Sequence, residues 1–101
     1  MNNSVKFVEL YEQASASRSA SRWALREVVI NPHYIVTMRP DERAPTLLRE
    51  GKLPDGLDDR QQFTKIHMNR GNTGVELTIV GDISTVQRAM ASTADKTVIR
   101  G

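Results

Sequence analysis

Residues 63–90 read FTKIHMNRGNTGVELTIVGDISTVQRAM, and this stretch predicts a strand, a turn, a second strand and a helix. In 64–69 and again in 75–80, apolar or β-branched residues alternate with polar ones, which is typical of strands that bury one face. The run between them, 69–74, contains two glycines and two asparagines. These residues tolerate positive φ, so the run suits a hairpin turn. A lone hairpin is marginal in water, so further strands must join it.

The helix is predicted to follow Gly81. Asp82 or Ser84 can accept hydrogen bonds from the first free N–H groups of a helix. An apolar stripe then recurs at helical spacing, formed by Ile83, Val86 and Met90. We expect two or three helical turns on or beside the hairpin. The remaining residues, 91–101, are expected to form a flexible tail or to add an edge strand.

Three further segments resemble strands. Residues 5–11 fit a strand, although helical spacing fits them nearly as well. Residues 23–30 and 34–38 flank Asn31-Pro32, and proline biases Asn31 away from the helical region, so these two segments are predicted to form a tight hairpin. The expected fold class is mostly β (α+β): a small curved antiparallel sheet of about five strands with a C-terminal helix, in one domain over 1–101.

Residues 44–62 are predicted to be a long loop insertion. Pro45 suits the first position of one or two helical turns, and Gly51 suits their end. The residues after Gly51 have no regular period, and a connection of about 20 residues in a small domain is usually functional or disordered. Four leucines indicate that part of it docks on its own domain or on a neighbouring subunit: Leu47, Leu48, Leu53 and Leu57.

Composition excludes several classes of protein. The chain has no cysteine, so disulfides and thiolate catalysis are excluded, and no apolar run approaches the roughly 20 residues of a membrane span. A cytoplasmic location is expected. The two histidines lack further ligands nearby in sequence, and three acidic residues of the long loop lack the spacing of a calcium loop. We therefore expect no metal, no cofactor and no enzymatic activity.

The net charge of +2 is weak evidence for a polyanionic partner, so the clustering of arginines matters more than the total. The tetrapeptide Ser-Ala-Ser-Arg occurs twice in 15–22, and it predicts an exposed connection, although a helix with arginines on one face also fits. Trp23 either packs in the core or stacks at the surface. The arginines either form salt bridges or contact phosphates, and the candidates for nucleic-acid binding are Arg18, Arg22, Arg39 and Arg43.

Two motifs resemble those of small bacterial protein groups. The turn at 31–35, followed by the hairpin segments 64–71 and 75–80, is similar to the flagellar FlbD-like proteins. The run IVTMRPDERAP at 35–45 resembles the strand and Pro-acidic-Ala-Pro segment of the RemA-like extracellular-matrix regulators. The second resemblance implies a ring-forming DNA binder, hence homo-oligomers and phosphate contacts by arginine.

Together these features predict a non-enzymatic small regulatory protein that self-associates and binds nucleic acid through its loop arginines. The alternative is a protein–protein assembly module that uses the 44–62 loop and its leucines, without nucleic-acid binding.

Overall fold

The computed structural model describes residues 4–13 and 22–98, which form a five-stranded antiparallel sheet with two α-helices. The elements in chain order are β1 (Val5–Glu12), β2 (Trp23–Ile30), a 3₁₀ turn (Pro32–Tyr34), β3 (Ile35–Pro40), α1 (Arg43–Arg49), β4 (Phe63–Arg70), β5 (Thr73–Val80) and α2 (Ile83–Val98). The expected fold class is confirmed, and residues 5–11 belong to a strand rather than a helix. Most of the tetrapeptide repeat, including Arg18, lies outside the described residues.

The β4–β5 hairpin forms as the sequence predicts. Its register runs without interruption from Phe63↔Val80 to Arg70↔Thr73. The two-residue loop between the strands begins with Gly71, whose φ of 65° is the positive value that glycine adopts at little cost. Glycine at the first of two loop residues is typical of a hairpin turn whose twist matches the strands.

The predicted hairpin between β2 and β3 is wrong. The strand order is β2-β1-β5-β4-β3, so these two strands are the opposite edges of the sheet. The Asn31-Pro32 signal does mark a turn: the Asn31 side chain accepts a hydrogen bond from the His33 N–H at 3.0 Å. However, β2 is already paired with β1 along its whole length. A turn sets a change of direction, not which strands become neighbours.

The short link between the two edges forces the sheet to curl. In a flat sheet, four strand spacings of about 4.8 Å would put the outer strands about 19 Å apart. The five Cα steps from Ile30 to Ile35 span at most about 18 Å when extended, and the 3₁₀ turn shortens them. The end of β2 and the start of β3 must therefore lie close together, although the two strands remain unpaired and the sheet stays open.

Helix α2 covers part of the inner face of the curled sheet. Val86 and Met90, on its apolar stripe, pack against the fully buried side chains of Ile66 and Ile79 and against Ile30 from β2. The register places these three strand residues, together with Val5, Phe7 and Val28, on one face. All five strands thus contribute to the cluster, which also includes Ile35 and Met38 of β3.

Part of the outer face is covered by α1 and the segment that follows it. Leu10 and Phe63 of the sheet pack there against Ala44 and Leu53. Leu47, Leu48 and Leu57 join the same cluster. The leucines of the predicted long loop therefore dock on their own domain, which is one of the two possibilities that the sequence leaves open.

Acidic side chains fix where the two helices begin. The Asp41 carboxylate accepts a hydrogen bond from the Ala44 N–H at 2.8 Å, so α1 starts at Arg43, and Pro45 is its third residue rather than its first. Gly51, with a φ of 72°, follows the helix end as expected. For α2 it is Asp82, not Ser84, that accepts from the N–H and hydroxyl of Thr85.

The second helix is also longer than predicted. It extends to Val98, where the sequence suggests a tail or an edge strand after Met90. The segment 91–98, ASTADKTV, is mostly small and polar, and it lacks the apolar periodicity that predicts a helix.

We predict that Ile79→Ala lowers the free energy of unfolding by about 3 kcal/mol, because it leaves a cavity beneath α2. Ile79 is fully buried on a central strand. Urea denaturation measures the effect. The matched control is Val36→Ala on the exposed edge strand β3, which should change stability by less than about 0.5 kcal/mol. Equal losses in the two variants would contradict the described inner core.

A second prediction concerns acid stability. The hydrogen bond from the Thr85 hydroxyl lowers the pKa of Asp82 from 3.8. The pKa of Asp82 is lower in the folded chain than in the unfolded chain. The ionised carboxylate therefore stabilises the fold at a pH above the unfolded-state pKa, and this contribution is lost as the pH falls through the folded-state pKa. The melting-temperature difference between wild type and Asp82→Ala should be constant between about pH 7 and 5 and shrink below about pH 4.

The control for this pH series is Asp59→Ala, at an exposed position in the loop after α1. Its melting temperature should follow that of the wild type throughout. A difference for Asp82→Ala that stays constant down to pH 2 would show that the carboxylate charge is not what caps α2.

Candidate functional site

A cationic groove lies where β2 begins, α1 begins and the turn after α1 returns to the sheet. Its volume is about 570 Å³. Trp23 begins β2 and Arg22 directly precedes it, while Arg43 comes from the start of α1 and Lys52 from the turn. Residues distant in sequence thus supply three cations and the only tryptophan to one surface.

Trp23 serves both of the roles that the sequence leaves open. It pairs with Glu12 at the end of the β1–β2 ladder and packs partly against the outer-face cluster. The Arg43 guanidinium lies over its ring, 5.3 Å from the centroid. Such a cation–aromatic contact restrains the guanidinium, while Arg43 itself stays exposed and lines the groove.

Acidic side chains neutralise part of this charge. Arg22 Nη2 lies 2.6 Å from Glu12 Oε2, and Lys52 Nζ lies 3.2 Å from Glu50 Oε1. Asp55 also lines the groove. Within the described ranges, Arg43 is the groove cation with no acidic partner in an ion pair, so it is the residue best placed to receive an external anion.

The structure brings only some of the predicted arginines together. Arg22 and Arg43 share the groove, whereas Arg39 lies on β3 with its guanidinium 3.6 Å from Glu76. Lys52 is not among the predicted residues. No local sequence signal marks it, because its place in the groove depends on the chain reversal at Gly51.

A second feature is the pair of open sheet edges. The large apolar residues exposed on the described surface are few, and they lie at or next to these edges. Val8 and Val29 lie on β1 and β2 at one side of the sheet, and Val29 is 60% exposed. Tyr34 and Val36 lie at the β3 side and are 56% and 53% exposed. Unpaired strand edges that carry apolar side chains readily pair with another chain.

The described residues include neither a group of metal ligands nor a helix suited to span a membrane. Over 4–13 and 22–98, no three His, Asp or Glu side chains are grouped so that they could hold a metal ion. Neither helix in this part of the chain is long and apolar enough to cross a membrane.

No protein-family model, no curated protein and no solved structure matches the chain. The resemblances to the RemA-like and FlbD-like groups therefore stay predictions, and function must be argued from the geometry alone.

Proposed function

We propose that this chain is a non-enzymatic regulatory protein that self-associates through the open edges of its sheet and contacts nucleic acid at the cationic groove. The observation that carries the proposal is the position of the exposed apolar residues: Val29 next to one free edge, Tyr34 and Val36 at the other. Repetition of the chain would place several copies of a weak groove along one polyanion, which raises the overall affinity.

The groove supports the nucleic-acid part of the proposal. Phosphates are bound mainly by Arg and Lys side chains, and bases stack on aromatic rings or on guanidinium planes. Arg43 over Trp23 offers such a plane beside two further cations. Two of the three cations already have acidic partners, so each copy that binds should release few of the counterions condensed on the nucleic acid.

We predict that duplex and single-stranded DNA bind with a shallow salt dependence. With one to three phosphates neutralised per copy, log K against log salt should have a slope of roughly −1 to −3 per protomer. Fluorescence anisotropy at two salt concentrations measures it. Arg43→Gln should weaken binding most, because it removes the groove cation that lacks an acidic partner.

The matched control is Arg39→Gln, which removes the same charge where Glu76 already compensates it. It should leave affinity within about twofold of the wild type, since exposed paired charges contribute little. Absence of DNA binding at low salt, or equal losses in the two variants, would reject the groove as the nucleic-acid site.

The edges support the self-association part. The β2 edge of one copy and the β3 edge of the next are different surfaces, so pairing them is head to tail and produces a ring or an open chain. Backbone hydrogen bonds between the strands would provide affinity, and burial of Val29 against Val36 or Tyr34 would add an apolar contact.

We predict that Val29→Lys and Val36→Lys each lower the mass in solution measured by light scattering, because a lysine on a strand edge opposes edge-to-edge pairing. Gln87→Lys, on the exposed side of α2, should keep the wild-type mass. A wild-type monomer at all accessible concentrations would reject this part of the proposal.

The alternative function, an assembly module that uses the 44–62 segment, has less support. Leu53 is buried, and the other three leucines are partly buried against the chain's own outer-face cluster. The segment therefore has little apolar surface left for a partner.

A further inference from the structure

A cleft of about 690 Å³ opens on the inner face of the sheet, between the β2 edge and the β4–β5 turn. Helix α2 begins at the far end of β5 and covers the other part of this face. The volume lies within the range of roughly 300–1,000 Å³ that is usual for small-molecule sites. The cleft is separate from the cationic groove, since the two share no lining residue.

The walls of the cleft are mostly apolar, with Asn31 and Asn69 as polar residues in the lining. The apolar walls are formed by side chains that the curl brings together from β2, β4 and β5: Val28, Ile30, Met68, Val75 and Leu77. Met68 has a flexible thioether that adapts to irregular ligands. Such walls favour a hydrocarbon chain or ring over a polar molecule.

One charged pair stands at the rim. Arg26 Nε donates to Glu9 Oε1 at 2.9 Å, and the guanidinium lies over the Tyr11 ring at 3.9 Å from the centroid. The Glu9 side chain is only 6% exposed, whereas that of Arg26 is 55% exposed. A nearly buried carboxylate thus orients an accessible guanidinium.

The two terminal nitrogens of Arg26 remain for a ligand. Glu9 binds the guanidinium through Nε, and the Tyr11 ring lies against its face. Neither Nη atom donates a hydrogen bond within the described residues. Two parallel N–H groups match the geometry of a carboxylate. An anion would approach end-on, on the side away from Glu9.

We propose that the cleft binds an anionic amphiphile, with an apolar chain against Val28, Met68 and Leu77 and a carboxylate on the Nη atoms of Arg26. The cleft alone would accept any apolar molecule of this size. The oriented guanidinium at its rim is what selects an acid.

The test uses decanoate as the probe, with decan-1-ol and decyltrimethylammonium as a neutral and a cationic molecule of the same chain length. Titrations of the full chain are followed by methyl NMR below the micelle concentration. Decanoate should shift the methyl signals of the cleft residues and bind about tenfold or more tightly than either comparison molecule, because it alone forms charge-assisted hydrogen bonds.

Substitutions at Glu9 and Arg26 distinguish loss of the guanidinium charge from loss of the fold. Arg26→Gln alone would leave the buried Glu9 unpaired and destabilise the chain. The double variant Glu9→Gln/Arg26→Gln avoids this, because two amides can still form a hydrogen bond. It should lose about tenfold or more in decanoate affinity while keeping decanol binding unchanged. Arg39→Gln removes a charge elsewhere and should bind decanoate like the wild type.

Equal decanoate affinity in the double variant and the wild type would overturn the proposal, as would shifts confined to Val8 on the outer face or no binding below the micelle concentration. Light scattering on the same samples separates this result from edge pairing. A monomer that binds decanoate would reject self-association and support the cleft as a binding site. An oligomer that does not bind decanoate would support self-association and reject the cleft as a binding site.

Discussion

The five-step link from Ile30 to Ile35 is the constraint on which the rest of this structure depends. It joins the two outer strands of a five-stranded sheet, and it is too short to cross a flat one. The resulting curl creates an inner face that one helix covers in part. The curl also forms the cleft between β2 and the β4–β5 turn, and it brings the end of β2 close to the start of β3.

Both faces of the sheet carry a core, although only 39% of the residues are hydrophobic. The inner cluster is completed by α2 and the outer one by α1 with the segment after it. The remaining outer surface carries ion pairs, such as Lys65 with Asp41 and Arg39 with Glu76. Four of the eight described arginines have an acidic partner, so a count of arginines overstates the charge that an external anion would meet.

The sequence is most informative where structure is local. Alternation in 64–69 and 75–80, together with Gly71, predicts the β4–β5 hairpin because strand, turn and partner lie within 20 residues of one another. Strand order is not local. The pairing of β1 with β5, and the separation of β2 from β3, depend on how the whole chain closes. This is why the sequence wrongly predicts a β2–β3 hairpin.

The candidate sites show the same limit. The arginines could be named as phosphate ligands from their residue type, but Arg22 and Arg43 meet only because α1 docks beside the start of β2. The cleft had no sequence signal, because its walls come from three strands and its charged rim from paired positions on β1 and β2. Edge positions likewise become visible only when the neighbours of each strand are known.

The junction between β1 and β5 has a consequence for how the chain is made. It is paired at only two positions, Glu9↔Ile79 and Leu10↔Thr78, while the β1–β2 and β4–β5 ladders each run the full length of their strands. The β1–β2 ribbon is synthesised before β5, so its neighbour in the sheet does not exist until residue 80 has been made. The apolar side chains on the inner face of β1 and β2 therefore stay uncovered until β5 and α2 follow.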